Sequence, residues 1–115
     1  MKLEIRRKSV RIAASMREYV ADHLTIALDR FAQQIGLVRV WLSDVNGPRG
    51  GVDKQCLIAV QLAGGKMIRC SHADTRFTAA VNLAADRVAY AVGRALKRRR
   101  KRTARTRPWE SEPVD

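Results

Sequence analysis

The chain predicts an α+β domain of two layers in the order β-α-β-β-β-α, a four-stranded sheet with two helices on one face. Three observations predict it. Two long stretches carry apolar residues at intervals of three and four, and four shorter ones alternate apolar with polar residues, which are the periods of helix and strand. A Gly-Gly pair separates two of the alternating stretches, as in a hairpin of antiparallel strands. At 115 residues the chain has room for one modest core, and two helices in this order can both cover one face of the sheet.

The first strand rests on Leu3 and Ile5, which alternate with Lys2, Glu4 and Arg6. Arg7, Lys8 and Arg11 then form a basic connection. Ser15-Met16-Arg17-Glu18 has capping-box spacing, so the first helix is expected to begin there. Its apolar stripe reads Met16, Tyr19, Val20, His23, Leu24, Ala27, Phe31 and Ile35, and Gly36 suits the left-handed residue that closes a helix. His23 lies on that stripe with no partner at metal-ligand spacing, which makes it a core or boundary histidine.

Val38, Val40 and Leu42 alternate with Arg39, Trp41 and Ser43 in the second strand. The following loop, 45–52, contains Gly47, Pro48, Arg49, Gly50 and Gly51. Its pattern matches neither a calcium loop nor a phosphate-binding loop, because it lacks the closing Glu of the one and the Lys-Ser/Thr of the other. Cys56, Ile58, Val60 and Leu62 mark the third strand, Gly64-Gly65 a two-residue turn, and Ile68 and Cys70 the core side of the fourth strand. Asp74 or Thr75 can cap the last helix, whose inner stripe is Phe77, Val81, Ala84, Val88, Ala91, Val92 and Ala95. The other sheet face should carry Arg39, Trp41, Leu57, Ala59, Met67 and Arg69, with enough apolar surface at Trp41, Leu57 and Met67 for a weak homodimer.

Composition separates scaffold from binding surface. The net charge is +12, and eight of the eleven positions from 97 to 107 are basic. Cations this dense repel one another unless a polyanion neutralises them, so the partner is a phosphate backbone or an anionic surface. On the last helix, at about 100° per residue, Arg87, Arg94, Arg98 and Lys101 fall on one sector away from the apolar stripe. With Lys97 they make a ridge suited to the phosphates of folded RNA. The open sheet face is expected to offer Trp41 as its only aromatic, so affinity should come from backbone and shape rather than from base stacking on the sheet.

Other function classes find little support. Cys70-Ser71-His72 has no orienting third group, so no catalytic role is expected, and no metal, cofactor or small-molecule substrate is implied. The two cysteines read as small core residues of a protein in a reducing cytoplasm. No apolar run is long enough to span a membrane, and the first residues have no signal-peptide pattern. Residues 1–100 are expected to form the domain, and 101–115 a disordered tail that turns from basic to acidic.

The element order, the helix start Ser15-Met16-Arg17-Glu18-Tyr19-Val20, the strand ending in Ser43-Asp44, and the last helix from Phe77-Thr78-Ala79-Ala80-Val81 through Ala84-Ala85-Asp86-Arg87 resemble the ribosome hibernation-promoting factor family, which includes the ribosome-associated inhibitor protein Y. The resemblance covers about residues 1 to 100 and is to the short form of that family. It implies a fold similar to a double-stranded-RNA-binding domain. It further implies binding to the small ribosomal subunit and its RNA in the channel between head and body, overlapping the sites of messenger RNA and tRNA, and translational silencing under stress or in stationary phase. Carried over by position, Arg87, Arg94, Lys97 and Arg98 fall on the cationic helix that faces ribosomal RNA, and Arg7 and Lys8 on a similarly basic stretch; Lys101 extends the ladder. The alternative that the charge alone supports is a general nucleic-acid-binding protein without ribosome specificity, and a protein-interaction module on the open sheet face is a third reading.

Overall fold

The computed structural model describes residues 1–8, 11–44 and 53–106, with 101–106 as helical backbone. Strand β1 (Lys2–Lys8) is followed by helix α1 (Ala14–Leu28), a 3₁₀ turn (Asp29–Gln34), strands β2 (Ile35–Asp44), β3 (Lys54–Leu62) and β4 (Met67–Asp74), and helix α2 (Phe77–Thr106). This is the α+β order that the periodicities predict. The strands lie side by side in chain order, β1 parallel to β2 and the other pairs antiparallel.

The strand period of two divides the sheet cleanly. Val38, Val40 and Leu42 of β2 and Cys56, Ile58, Val60 and Leu62 of β3 are buried on one face. Leu3, Ile5, Ile68 and Cys70 of the two edge strands pack against them and are half-buried. Over this face α1 lays Val20, Leu24 and Leu28 and α2 lays Ala80, Val81, Ala84, Ala85, Val88 and Val92. The alanines of α2 keep its axis close to the sheet, and each larger aliphatic side chain fully buried here stabilises the fold by about 1.5–3 kcal/mol. Between the helices, Tyr19 Oη donates to Asn82 Oδ1, and Phe31 packs so near Gly93 that a β-carbon there would lie 3.2 Å from Phe31 Cζ.

Three local expectations change. The capping box does not form: the N-cap is Ala13, two residues before Ser15, with the Ala13 carbonyl accepting from Met16 N (3.0 Å) and Arg17 N (3.1 Å) and no side-chain cap. The helix also ends sooner, at Leu28. Residues 29–34 tighten into a 3₁₀ turn, which rises about 2.0 Å per residue against 1.5 Å in an α-helix and so brings the chain to the sheet in fewer residues. Ile35 is therefore a buried strand residue, and Gly36 sits where the β2–β3 register slips instead of closing a helix. In the β3–β4 hairpin, Leu62 N donates to Lys66 O, so three residues lie between the paired positions, not two; Gly64 and Gly65 supply the positive φ angles of 100° and 99° that the turn needs. Asp74 accepts from Thr75 N at 2.7 Å and shapes the approach to α2, which starts at Phe77. Of the expected tail 101–115, residues 101–106 are helical backbone of α2, while 107–115 lie outside the described residues, as do residues 9–10, the loop 45–52 and the side chains from 101 onward.

Candidate nucleic-acid interface

Helix α2 has two chemically opposite sides. Its 30 residues span about 45 Å at 1.5 Å per residue, whereas the eight residues of β4 beneath it span about 26 Å. The helix starts at the Asp74 end of the sheet and passes over the β3–β4 turn at Arg99, whose guanidinium lies against Gly64. Beyond Arg99 the backbone helix continues past the sheet through Thr106, carrying the basic run with it.

On the solvent side Arg87, Arg94, Lys97 and Arg98 are exposed, and none of them makes an ion pair among the described residues. Arg94, Lys97 and Arg98 gather around a shallow hollow completed by Tyr90, Gly93 and Arg30. Arg30 comes from the 3₁₀ turn, its guanidinium 4.7 Å from the Phe31 ring centroid, while that of Arg94 lies 5.8 Å from the Tyr90 centroid. Arg87 lies about two turns before Arg94 along α2, where its charge partly offsets the upward shift that burial imposes on the Cys70 thiol. Helical backbone continues through Lys101.

Arg30 and Tyr90 were not singled out from the sequence. Tyr90 could have been found on the helical wheel, where it stands about 60° from Arg87. Arg30 could not, because its position depends on the α-helix giving way to a 3₁₀ turn.

Arg7 and Lys8 stand apart from this cluster. They pair in register with Leu42 and Ser43, at the end of the sheet where α2 begins. Their strand is three strand spacings from β4, about 14 Å across the sheet. Arg7 shares the helix-bearing side with Leu42, and Lys8 the open side, where it borders a hollow with Trp41, Ser43, Gln55, Leu57 and Ser71.

The open face presents cross-strand rows. Glu4, Arg39, Ala59 and Arg69 form one, and Arg6, Trp41, Leu57 and Ser71 the next. Arg39 Nε donates to Glu4 Oε1 at 2.9 Å, which with the weaker Arg6 contact at 3.4 Å holds the Glu4 carboxyl below its ordinary value of 4.5. The Arg39 guanidinium also lies 5.9 Å from the Trp41 ring centroid. Ala59 is only 1% exposed on this face, flanked in register by the two arginines. At the other end of the row pattern, Lys54 Nζ donates to Asp44 Oδ2 (2.8 Å) and Asp53 Oδ2 (3.0 Å), and those two carboxylates raise the Lys54 pKa above 10.5.

The remaining chemistry-bearing groups serve packing. His23 stacks on Tyr19 with centroids 5.7 Å apart, as fits a boundary histidine. Burial pushes the Cys56 thiol up to about 12, far from the thiolate that a nucleophile requires. Among the described residues no group of three or more His, Cys, Asp or Glu could hold a metal ion. None of the described helices is long and apolar enough to cross a membrane.

Comparison with known proteins agrees with the fold. The profile of the family described as sigma 54 modulation protein / S30EA ribosomal protein matches residues 3–102. The crystal structure of the Thermus thermophilus protein Y N-terminal domain superposes with a TM-score of 0.67 at 28% identity, covering 82% of this chain and 98% of that one. A ribosomal subunit interface protein from Coxiella burnetii gives a TM-score of 0.70 at 16% identity, over 84% of this chain and 99% of that one, and so bears on the fold alone. No curated protein matches the chain.

Proposed function

Since the chain belongs to the sigma 54 modulation protein / S30EA ribosomal protein family, we propose that it binds the small ribosomal subunit in the cytoplasm and silences translation by steric exclusion. In this reading the domain occupies the decoding channel between head and body, where messenger RNA and the A- and P-site tRNAs would otherwise lie. Arg87, Arg94, Lys97 and Arg98, with Lys101 on the continuing helix, face phosphates of ribosomal RNA, and Arg7 and Lys8 reach the same RNA from the far end of the sheet. No bond is made or broken.

The observation that carries the reading is the cluster of exposed cations on the solvent side of α2, none of them ion-paired among the described residues. Exposed cations with no carboxylate partners attract a polyanion, and binding releases the counterions condensed on it. Selectivity for the ribosome then comes from shape: a rigid helix projecting beyond a sheet fits a channel walled by phosphates better than it fits an isolated duplex.

Co-sedimentation of the purified protein with small subunits tests this. Retention against excess plain duplex RNA, with displacement by initiator tRNA plus messenger RNA, is the expected result. Loss to plain duplex would reduce the protein to a general nucleic-acid binder.

A further inference from the structure

Tyr90 is 67% exposed in the middle of a cationic helix face. Among the described residues it is not one of the partly buried side chains packed against the core, and its one ring contact there is the Arg94 guanidinium, 5.8 Å from the centroid. The hollow beside it is bordered by Arg30, Gly93, Arg94, Lys97 and Arg98. Phosphate binding needs no aromatic ring, and a fully paired duplex keeps its base faces stacked and out of reach. An exposed ring among cations matches a different ligand: a nucleotide whose base is free to stack while its phosphates are neutralised.

Resting on the reading above that the partner is RNA, we infer that this hollow takes one unpaired nucleotide, its base stacked on Tyr90 and its flanking phosphates on Arg30, Arg94 and Lys97. The close approach of Phe31 to Gly93 packs the 3₁₀ turn against α2 and so sets where Arg30 stands. The direction of the strand follows from charge. Asp29 and Asp86 border the neighbouring hollow, on the Ile26 side of Tyr90, and repel phosphates there. The RNA backbone therefore approaches from the Lys97 and Arg98 side. Because every base has a π face, the site tolerates any base.

The test compares two RNA hairpins, one with a single bulged adenine and one fully paired, at fixed ionic strength. The wild-type protein should prefer the bulged hairpin by roughly tenfold, the loss expected when one stacked base is removed. Tyr90→Ala should erase the preference while leaving affinity for the paired hairpin unchanged, and Tyr90→Phe should keep it. Equal wild-type affinity for the two hairpins, or a preference that survives in Tyr90→Ala, would overturn the inference. Co-sedimentation with small subunits run alongside separates the two claims. If the wild type does not bind subunits, the ribosomal reading fails while the hairpins still decide on Tyr90; if it binds subunits without a bulge preference, only the stacking site fails.

Discussion

Arg99 on α2 lies directly over Gly64 in the β3–β4 turn, so that a β-carbon at Gly64 would stand 2.7 Å from Arg99 Nη2. One cation of the basic run is thereby taken up by the fold, and it fixes the point where the helix leaves the sheet. Gly64→Ala meets both the guanidinium and a φ of 100°. The guanidinium is the flexible end of a long side chain and can move, so backbone strain dominates. The expected cost is about 1–3 kcal/mol, read as a lower denaturation midpoint. Arg98→Gln should weaken subunit binding more than Arg99→Gln, since Arg98 points to solvent.

Reversing Arg87, Arg94 and Arg98 to Glu should abolish co-sedimentation with small subunits without changing the circular dichroism spectrum or the melting temperature appreciably, because all three are exposed. Single Gln substitutions should each flatten the dependence of log affinity on log salt by about one. Binding that survives the triple reversal would remove α2 from the interface.

Cys56 should behave as an inert thiol. Its pKa of about 12 in the fold exceeds its ordinary value of 9.0 through burial, so the folded state favours the protonated form. Below about pH 9 both states hold the proton and stability is unaffected. As pH rises from 9 toward 12 the unfolded chain releases it first, and stability falls. Cys56→Val should lessen this alkaline decline in urea melts. Iodoacetamide at about pH 8 should modify half-buried Cys70 before Cys56, and rapid modification of Cys56 in the folded protein would contradict the assignment.

The Glu4–Arg39 contact should give a small effect of opposite sign. The folded carboxyl is held below 4.5, chiefly by the hydrogen bond from Arg39, so its contribution is present above that value and is lost as pH falls through the lowered one. Wild type and Glu4→Gln should therefore differ in denaturation midpoint at neutral pH and converge in acid, once the folded carboxyl is protonated as well. A gap unchanged by acid would show that the contact acts through packing and not through charge.

The layers and the sheet faces were legible because their periods are set by burial. Val38, Val40 and Leu42 alternate for the same reason that they are buried, and α2 repeats at helical spacing because it covers the sheet. The ends of α1 were not legible. Ser15 and Glu18 have the spacing of a cap, but the Ala13 carbonyl serves the first donors instead. Phe31 and Ile35 continue a helical stripe on paper, whereas each meets the core from a different element. The cation ladder on α2 could be read from the wheel, but the gathering of Arg30 with Tyr90 needed the tertiary contact between Phe31 and Gly93, which no local pattern encodes. The same limit applies to Arg7 and Lys8, whose distance from the ladder depends on strand order.

The side of α2 that faces away from the cations supplies Ala80, Val81, Ala84, Ala85, Val88 and Val92 to the core. The surface offered to a polyanion therefore exists only when the hydrophobic lid is closed, because the two are opposite sides of one rod. Binding and folding are thermodynamically linked by this arrangement. A ligand held by α2 selects the native state and raises the free energy of unfolding by an amount that grows with the logarithm of its concentration over the dissociation constant. Bound copies should outlast free ones against heat and proteases.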